Sequence, residues 1–276
     1  MLGAFASAAA LGGYTWRVEP HWVKVVERDL AIENLPASLV GKTMIQLSDI
    51  HIGPDVDDAY IIDCFARVAA LAPDILAITG DFFTHRGNRQ EEQWQQLKLV
   101  MRHMPHGRLA TIGVLGNHDY GLHWRDMKVA ARVQDIAEHA GVHVLRNDAV
   151  NIQGLDFVGT EDLWSDTADP LKALAQRTGN AAIVLCHNPD AQDELPWGDY
   201  RGWVLAGHTH GGQCKPPFLP PPLLPVKNRR YVAGEVEVLG THRRLYINRG
   251  LGHLQRVRFN VRPEITRFTL LSGLTR

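Results

Sequence analysis

Residues 109–119 read Leu-Ala-Thr-Ile-Gly-Val-Leu-Gly-Asn-His-Asp: an apolar run of strand length, closed by a glycine and followed at once by an amide, an imidazole and a carboxylate. A short apolar run bounded by turn residues is consistent with a buried strand. The arrangement recurs along the chain. Residues 43–48 (TMIQLS) lead into Asp49-Ile50-His51, 74–79 (DILAIT) into Gly80-Asp81, 181–186 (AAIVLC) into His187, and 202–206 (GWVLA) into Gly207-His208-Thr209-His210. Helix-period stretches lie between them. In 57–71, Ile61, Ile62, Phe65, Val68 and Ala69 recur at helical spacing until Pro73 stops the helix. Further helices are predicted over 89–103, 124–140 and 168–177, and shorter strands over 142–145, 148–152 and 155–160. Repeated strand–helix–strand argues for parallel pairing with helices on the sheet faces. From residue 231 strands dominate, at 231–239, 243–247 and 264–271, with Gly240-Thr241 as a hairpin turn. The economical reading is one α/β (α+β) domain of two sheets with outer helices over residues 21–276, preceded by an apolar segment at 1–20.

The composition permits this. Of 276 residues, 45% are hydrophobic and 21% charged, which is ordinary for a globular chain and excludes disordered, collagen-like and coiled-coil classes. The formal charge of −1 carries no global nucleic-acid signature, and no nucleic-acid partner is expected. It hides an asymmetry: residues 227–276 hold eleven Lys/Arg against three Glu, while the rest of the chain is acidic. A basic piece on an acidic chain fits an anionic substrate or an anionic lipid surface. Three cysteines without Cys-x-x-Cys spacing argue against a disulfide framework and against a cysteine-built zinc site. Residues 1–16 carry no charge, are short for a membrane span of about 20 residues, and read as the stub of an anchor or export signal.

The chemistry lies in the five strand-end clusters. In an open α/β sheet, loops at the carboxyl ends of parallel strands converge on one crevice. There the clusters would bring together several imidazoles, two carboxylates and an amide oxygen. In Asp49-Ile50-His51 and His208-Thr209-His210 the i and i+2 side chains share one side of an extended chain and can grip one ion. Nitrogen and oxygen donors without thiolate suit Zn, Fe, Mn or Co. The donors outnumber the needs of one tetrahedral ion and fit two divalent ions about 3.5–4 Å apart.

Taken in order, D-x-H, G-D, G-N-H-D, a single His and G-H-T-H, spanning residues 49 to 210, resemble the calcineurin-like metallophosphoesterase superfamily. The run His210-Gly-Gly-Gln213, the proline-rich stretch after it and Asn248-Arg249-Gly250-Leu251-Gly252 are similar to its YaeI/YkuE branch of bacterial phosphodiesterases, related to the UDP-diacylglucosamine pyrophosphatases. The resemblance implies a four-layer α-β-β-α sandwich of two mixed β-sheets flanked by helices. It implies that Asp49, His51 and His210 bind a first metal, that Asn117, His187 and His208 bind a second, and that Asp81 bridges them. A hydroxide between the metals would be the nucleophile. His118 would contact a phosphate oxygen or protonate the leaving group, with Asp119 orienting its ring. One departure stands out: where many members read G-D-x-x-D, this chain has Gly80-Asp81-Phe82-Phe83-Thr84, without the second acid.

Substrate clues follow the last metal motif. The run Cys214-Lys-Pro-Pro-Phe-Leu-Pro-Pro-Pro-Leu-Leu-Pro225 is held extended by its prolines and would lie at the mouth of the site. Phe218, Leu219, Leu223 and Leu224, with Lys227, Arg229 and Arg230 beyond them, read as an apolar tip with a basic collar, so 216–225 is expected to make a peripheral membrane contact. Arg249, Arg256 and Arg258 are expected to contact anionic oxygens of the substrate. The reading is a two-metal phosphodiesterase or pyrophosphatase acting on a phosphate ester, one that could be lipid-linked, at a bacterial inner membrane. The alternatives are a cytoplasmic enzyme, a phosphomonoesterase (protein phosphatases included) and a catalytically silent metal-binding scaffold.

Overall fold

The computed structural model describes residues 10–86, 90–179 and 181–273. Twelve strands among them form two six-stranded mixed sheets. The first sheet runs β1 (Lys24–Ile32), β12 (Glu264–Ser272), β2 (Thr43–Leu47), β3 (Ile75–Thr79), β4 (Ala110–Val114), β5 (His143–Val144). Its pairs are parallel except β12 against β2. The second runs β10 (Gly234–Glu237), β11 (Arg243–Ile247), β9 (Gly202–Ala206), β8 (Ala181–Leu185), β7 (Leu155–Gly159), β6 (Asp148–Ile152). Its inner four strands are parallel and the two edge strands antiparallel.

The helices end where the chain chemistry ends them. Helix α1 (Asp58–Ala70) starts at Asp57, whose carboxylate accepts from Ala59 N at 3.0 Å, and buries Tyr60, Ile61, Cys64, Phe65 and Val68. Helix α2 (Gln90–Met101) and helix α3 (Met127–His139) cover the same face of the first sheet. The predicted helix at 124–140 begins later because Asp126 caps it, accepting from Lys128 N and Val129 N. The predicted helix at 168–177 shrinks to α4 (Pro170–Ala175), capped by Asp169, and α5 is the single turn Ala191–Glu194.

Three apolar layers result. Leu30, Met44, Ile75, Ile112 and Phe268 of the first sheet face Phe157, Ile183, Leu185, Leu205 and Tyr246 of the second. The outer face of the first sheet packs on α1–α3, and that of the second on α4, α5 and the Trp197–Tyr200 segment. The architecture is the expected four-layer sandwich. Strand β1 lies outside the sequence reading. Only Val26, Leu30 and Ile32 of its nine residues are buried, and its exposed face carries Lys24, Glu27, Arg28 and Asp29. A charged edge strand lacks the continuous apolar run that betrays a central one.

Residues 10–21 form helical turns that lie on the 256–261 loop: Arg258 N donates to Thr15 O, and the buried Glu19 accepts from Val261 N. The beginning of the predicted anchor, residues 1–9, lies outside the described residues. Among those described, no helix is long and apolar enough to cross a membrane.

Phe157 is wholly buried between the sheets. Phe157→Ala should cost about 3–5 kcal/mol in chemical denaturation. A loss under about 1 kcal/mol would mean that the sheets close the gap by relaxing.

Candidate metal centre

The carboxyl ends of β2, β3, β4, β8 and β9 meet at one edge of the sandwich. Donor atoms of Asp49, His51 and His210 lie within 4.8 Å of one another, and so do those of Asp49, Asp81 and His187. Asp49 Oδ1 is 3.2 Å from His210 Nε2, and the His51 and His210 Nε2 atoms are 3.0 Å apart. Beside them, His208 Nδ1 lies 2.9 Å from Asn117 Oδ1 and 3.3 Å from His187 Nε2. Asp81 Oδ2 lies between the two groups, 3.6 Å from His51 Nε2 and 3.2 Å from His187 Nε2. Its other oxygen accepts from His118 N at 2.8 Å. All seven residues named from the strand ends are therefore brought together, and all are buried.

The outward ring atoms decide which nitrogens are free. His187 Nδ1 faces Thr79 O at 2.7 Å, and His208 Nε2 faces Pro225 O at 2.9 Å. A carbonyl only accepts, so those nitrogens carry the hydrogen, and His187 Nε2 and His208 Nδ1 turn toward the cluster. His51 Nδ1 reaches the Thr84 hydroxyl at 2.6 Å. A ring held this way is the usual support of a metal-ligating histidine. Thr84 occupies the position of the missing second acid, so a neutral hydroxyl does this orienting here.

Burial holds His51 and His210 well below the ordinary imidazole range and His208 down at about 3, so these rings are neutral, the form that binds metal. Burial likewise pushes Asp49 up to about 6. Burial would also raise Asp81, but the charge of His187 and its hydrogen bond outweigh it and hold Asp81 well below the carboxylate range. Burial acts to lower His187, and Asp81 overcomes it from the other side, so His187 is held high. The donor set fits two divalent cations: nitrogen and oxygen ligands, a carboxylate oxygen placed between two groups, and ring hydrogens directed outward.

The backbone is bent to achieve this. Asp49, His51, Asp81, His208 and His210 all have positive φ, between 49° and 71°. For residues with a Cβ this conformation costs about 1–2 kcal/mol each. Backbone bonds from Asp49 N to Gly80 O and His51 N to Asp81 O, both 2.9 Å, hold two of them. The glycines beside the ligands make room. A Cβ on Gly207 would overlap Ser48 Oγ and Asp49 Oδ2, and one on Gly116 would overlap Asp81 Oδ1.

Other expectations need correction. Asp119 does not orient the His118 ring: its carboxylate accepts from Phe82 N, Phe83 N and Gly116 N and ties the β3 and β4 loops together. His118 itself stands edge-on to His51, ring centroids 5.1 Å apart. Of the three arginines, Arg249 and Arg258 are not free for substrate. Arg258 is wholly buried and donates to the carbonyls of Val261, Arg249 and Gly252. Arg249 is paired with Glu264, and Arg256 reaches His21 Nε2 at 3.3 Å. Sequence reasoning missed Thr84 and Asp162. Asp162 is wholly buried, with Oδ2 unpartnered and its carboxyl pushed up to about 6 by burial. It follows β7 as the other site residues follow their strands, and that position was the available signal.

Thr84→Val keeps the shape and removes the acceptor for His51. Calorimetric titration with Mn2+ should show the affinity of one site falling roughly 10- to 100-fold. Asp81→Ala should retain at most one ion by elemental analysis; two retained ions would remove Asp81 from between the sites.

Comparison with known proteins agrees with this geometry. Residues 42–212 match the family model of the calcineurin-like phosphoesterases. The chain is 29% identical to phosphodiesterase YaeI of Escherichia coli (94% of this chain, 92% of the relative) and 30% identical to the metallophosphoesterase YkuE of Bacillus subtilis (99% and 95%). It is 26% identical to the UDP-2,3-diacylglucosamine pyrophosphatase LpxG of Chlamydia trachomatis, over 94% of this chain and 93% of that one. The match covers all five strand-end clusters and the similarity to YaeI and YkuE runs over more than nine-tenths of each chain, so the chain belongs to the calcineurin-like phosphoesterase family and is a metal-dependent hydrolase of phosphoric esters.

Proposed function

We propose that the protein hydrolyses a phosphodiester or pyrophosphate, with Asp49, His51, Asp81, Asn117, His187, His208 and His210 holding two divalent cations. The observation that carries the diester reading is the state of the cations around the cluster: Arg258, with Nη2 3.4 Å from His210 Nδ1, is wholly buried among backbone carbonyls, and the cations at the rim are held by acids. Arg86 is paired with Asp55 at 2.8 Å, Arg125 with Asp166 at 2.9 Å, Lys227 with Glu194 at 2.7 Å, and Arg249 with Glu264. A diester brings one negative charge to the metals. A monoester dianion brings two and would need an uncommitted cation beside them. The names of YaeI, a phosphodiesterase, and LpxG, a pyrophosphatase, support the same choice.

When bound, the two cations would neutralise the phosphate and bring the acidity of a coordinated water toward neutrality. The chain supplies the rest. Asp81 Oδ2 fixes the separation of the two donor groups, and Thr84, Thr79 O and Pro225 O keep the rings facing inward. His118 is held over this cluster by its backbone bond to Asp81. Burial lowers its basicity, and the anionic substrate would raise the ring's proton affinity as it binds, so that His118 would meet the departing oxygen as imidazolium, give it the proton and be left neutral.

The substrate is proposed to carry a lipid. Phe218 is fully exposed, and Leu219 and Leu223 are exposed beside it, on the loop whose Pro225 carbonyl holds His208. A wet apolar tip rooted at the metal cluster suits an ester presented from a bilayer. The diacylated substrate in the name of LpxG supports this reading, as does a peripheral location at the membrane.

With Mn2+ restored to metal-stripped protein, bis-p-nitrophenyl phosphate should be turned over faster than p-nitrophenyl phosphate; the reverse preference would make the protein a monoesterase. His118→Ala should lower kcat by about 10²–10⁴-fold on an alkyl diester with a poor leaving group, and less on the nitrophenyl diester. Equal losses on both would deny His118 the proton-donor role. In co-sedimentation with phosphatidylglycerol vesicles, a Phe218→Ser, Leu219→Ser, Leu223→Ser variant should stay in solution where the parent pellets. Equal pelleting would refute the membrane contact.

A further inference from the structure

On the His118 and His208 side of the cluster two tryptophans lie together. The ring centroids of Trp124 and Trp164 are 4.6 Å apart, with the planes tilted by 34°. Trp164 meets His208 edge-on, at 4.6 Å and 84°, and Trp124 meets His118 at 6.5 Å and 71°. They wall an open groove of about 710 Å³, whose remaining apolar lining is Leu122, Leu163, Ala168 and Leu195. Neither indole serves the core: Trp164 is half-buried, and Trp124 and Leu122 are 37% and 59% exposed.

Trp124 has φ of 59°, in the left-handed region that a bulky side chain avoids. Strain of this kind persists where the surroundings demand it, and it gathers at ligand sites. Here it sets an indole beside the residue that faces the departing group. The cations in the groove, Arg125 and Lys227, are both taken by acids of the same groove, Asp166 and Glu194. With two cations matched by two acids the groove has no excess positive charge to draw a further phosphate, whereas a flat uncharged ring finds indole to stack on.

We propose that Trp124 and Trp164 form a subsite for a planar aromatic ring carried by the phosphate ester. This rests on the phosphoesterase reading above and adds to it which substituent lies beside His118. An alkyl chain in so open a groove stays half in water, while a ring gains the offset stacking that indoles favour. The apolar tip at Phe218 is a separate surface, so a ring on one side of the phosphate and a lipid on the other are compatible.

The test is calorimetry on the full chain loaded with Mn2+, using methylphosphonate, hexylphosphonate and phenylphosphonate as probes. Phenylphosphonate should bind about tenfold more tightly than methylphosphonate, the scale of one ring stacked on an aromatic side chain, and more tightly than hexylphosphonate. The phenyl-to-methyl ratio should fall toward one in Trp124→Ala and in Trp124→Gly. Trp124→Gly also relieves the left-handed backbone, so its Tm should not drop, which separates loss of the ring from loss of the fold. An unchanged ratio in both variants, or tighter binding of hexylphosphonate, would overturn the subsite. Failure of methylphosphonate to bind at all would overturn the phosphate site itself, and the subsite with it.

Discussion

Asp81 Oδ2 lies 3.6 Å from a nitrogen contributed by one sheet and 3.2 Å from a nitrogen contributed by the other. This contact joins the two halves of the sandwich at their functional edge, and the surroundings keep it in place. His118 N pins the second oxygen of the carboxylate. Asp119 ties the loops that carry Asp81 and His118 to each other. Two crosslinks lie just beneath. Gln46 of β2 donates to Ala206 O of β9 at 2.9 Å, and Asn248 after β11 donates to Thr266 of β12 at 2.8 Å. Buried polar groups are expensive to misplace, so these bonds between the sheets make their relative placement specific.

The second theme is the management of charge. The chain divides into an acidic body and a basic tail, and in the fold much of that difference is spent internally. Glu194 takes Lys227 and Glu27 takes Arg267 across that divide, while within the tail Glu264 takes Arg249, Glu235 takes Arg244, and the carbonyls of one loop take Arg258. Around the metal cluster the result is neutral rings at His51, His208 and His210, a His187 balanced by Asp81, and ion-paired rims. Electrostatic pull on an anionic ester is then left to the cations that the cluster would hold, which is economical in a site where an unpaired buried charge would be costly.

Much of this was legible in advance. Each parallel strand announced itself by an apolar run, and each site residue by its place at a strand's carboxyl end. Those two regularities together pick out the five clusters that hold Asp49, His51, Asp81, Asn117, His118, Asp119, His187, His208 and His210; the division into ligands and others came from the family resemblance. The failures have physical reasons. Strand β1 is an edge strand with a charged face, so its pattern is diluted. Arg258 has the chemistry of an anion binder, but a side chain's composition says nothing of which carbonyls will surround it. Asp119 sits next to His118 in sequence, yet the turn that follows β4 sends the two side chains to different neighbours.

What the sequence determined by itself, then, was the candidate donors and the layered class of the fold, because both follow from local pattern: apolar runs, turn residues and the order of polar groups after them. Only the tertiary structure decided how those donors are presented. The left-handed backbone at five of them, the Thr84 hydroxyl behind His51, the Pro225 carbonyl behind His208 and the tryptophan pair beside His118 all join residues distant along the chain or conformations that local propensity disfavours. Such arrangements exist because packing of the whole sandwich outweighs the local cost, and that balance is not written in any one stretch of residues.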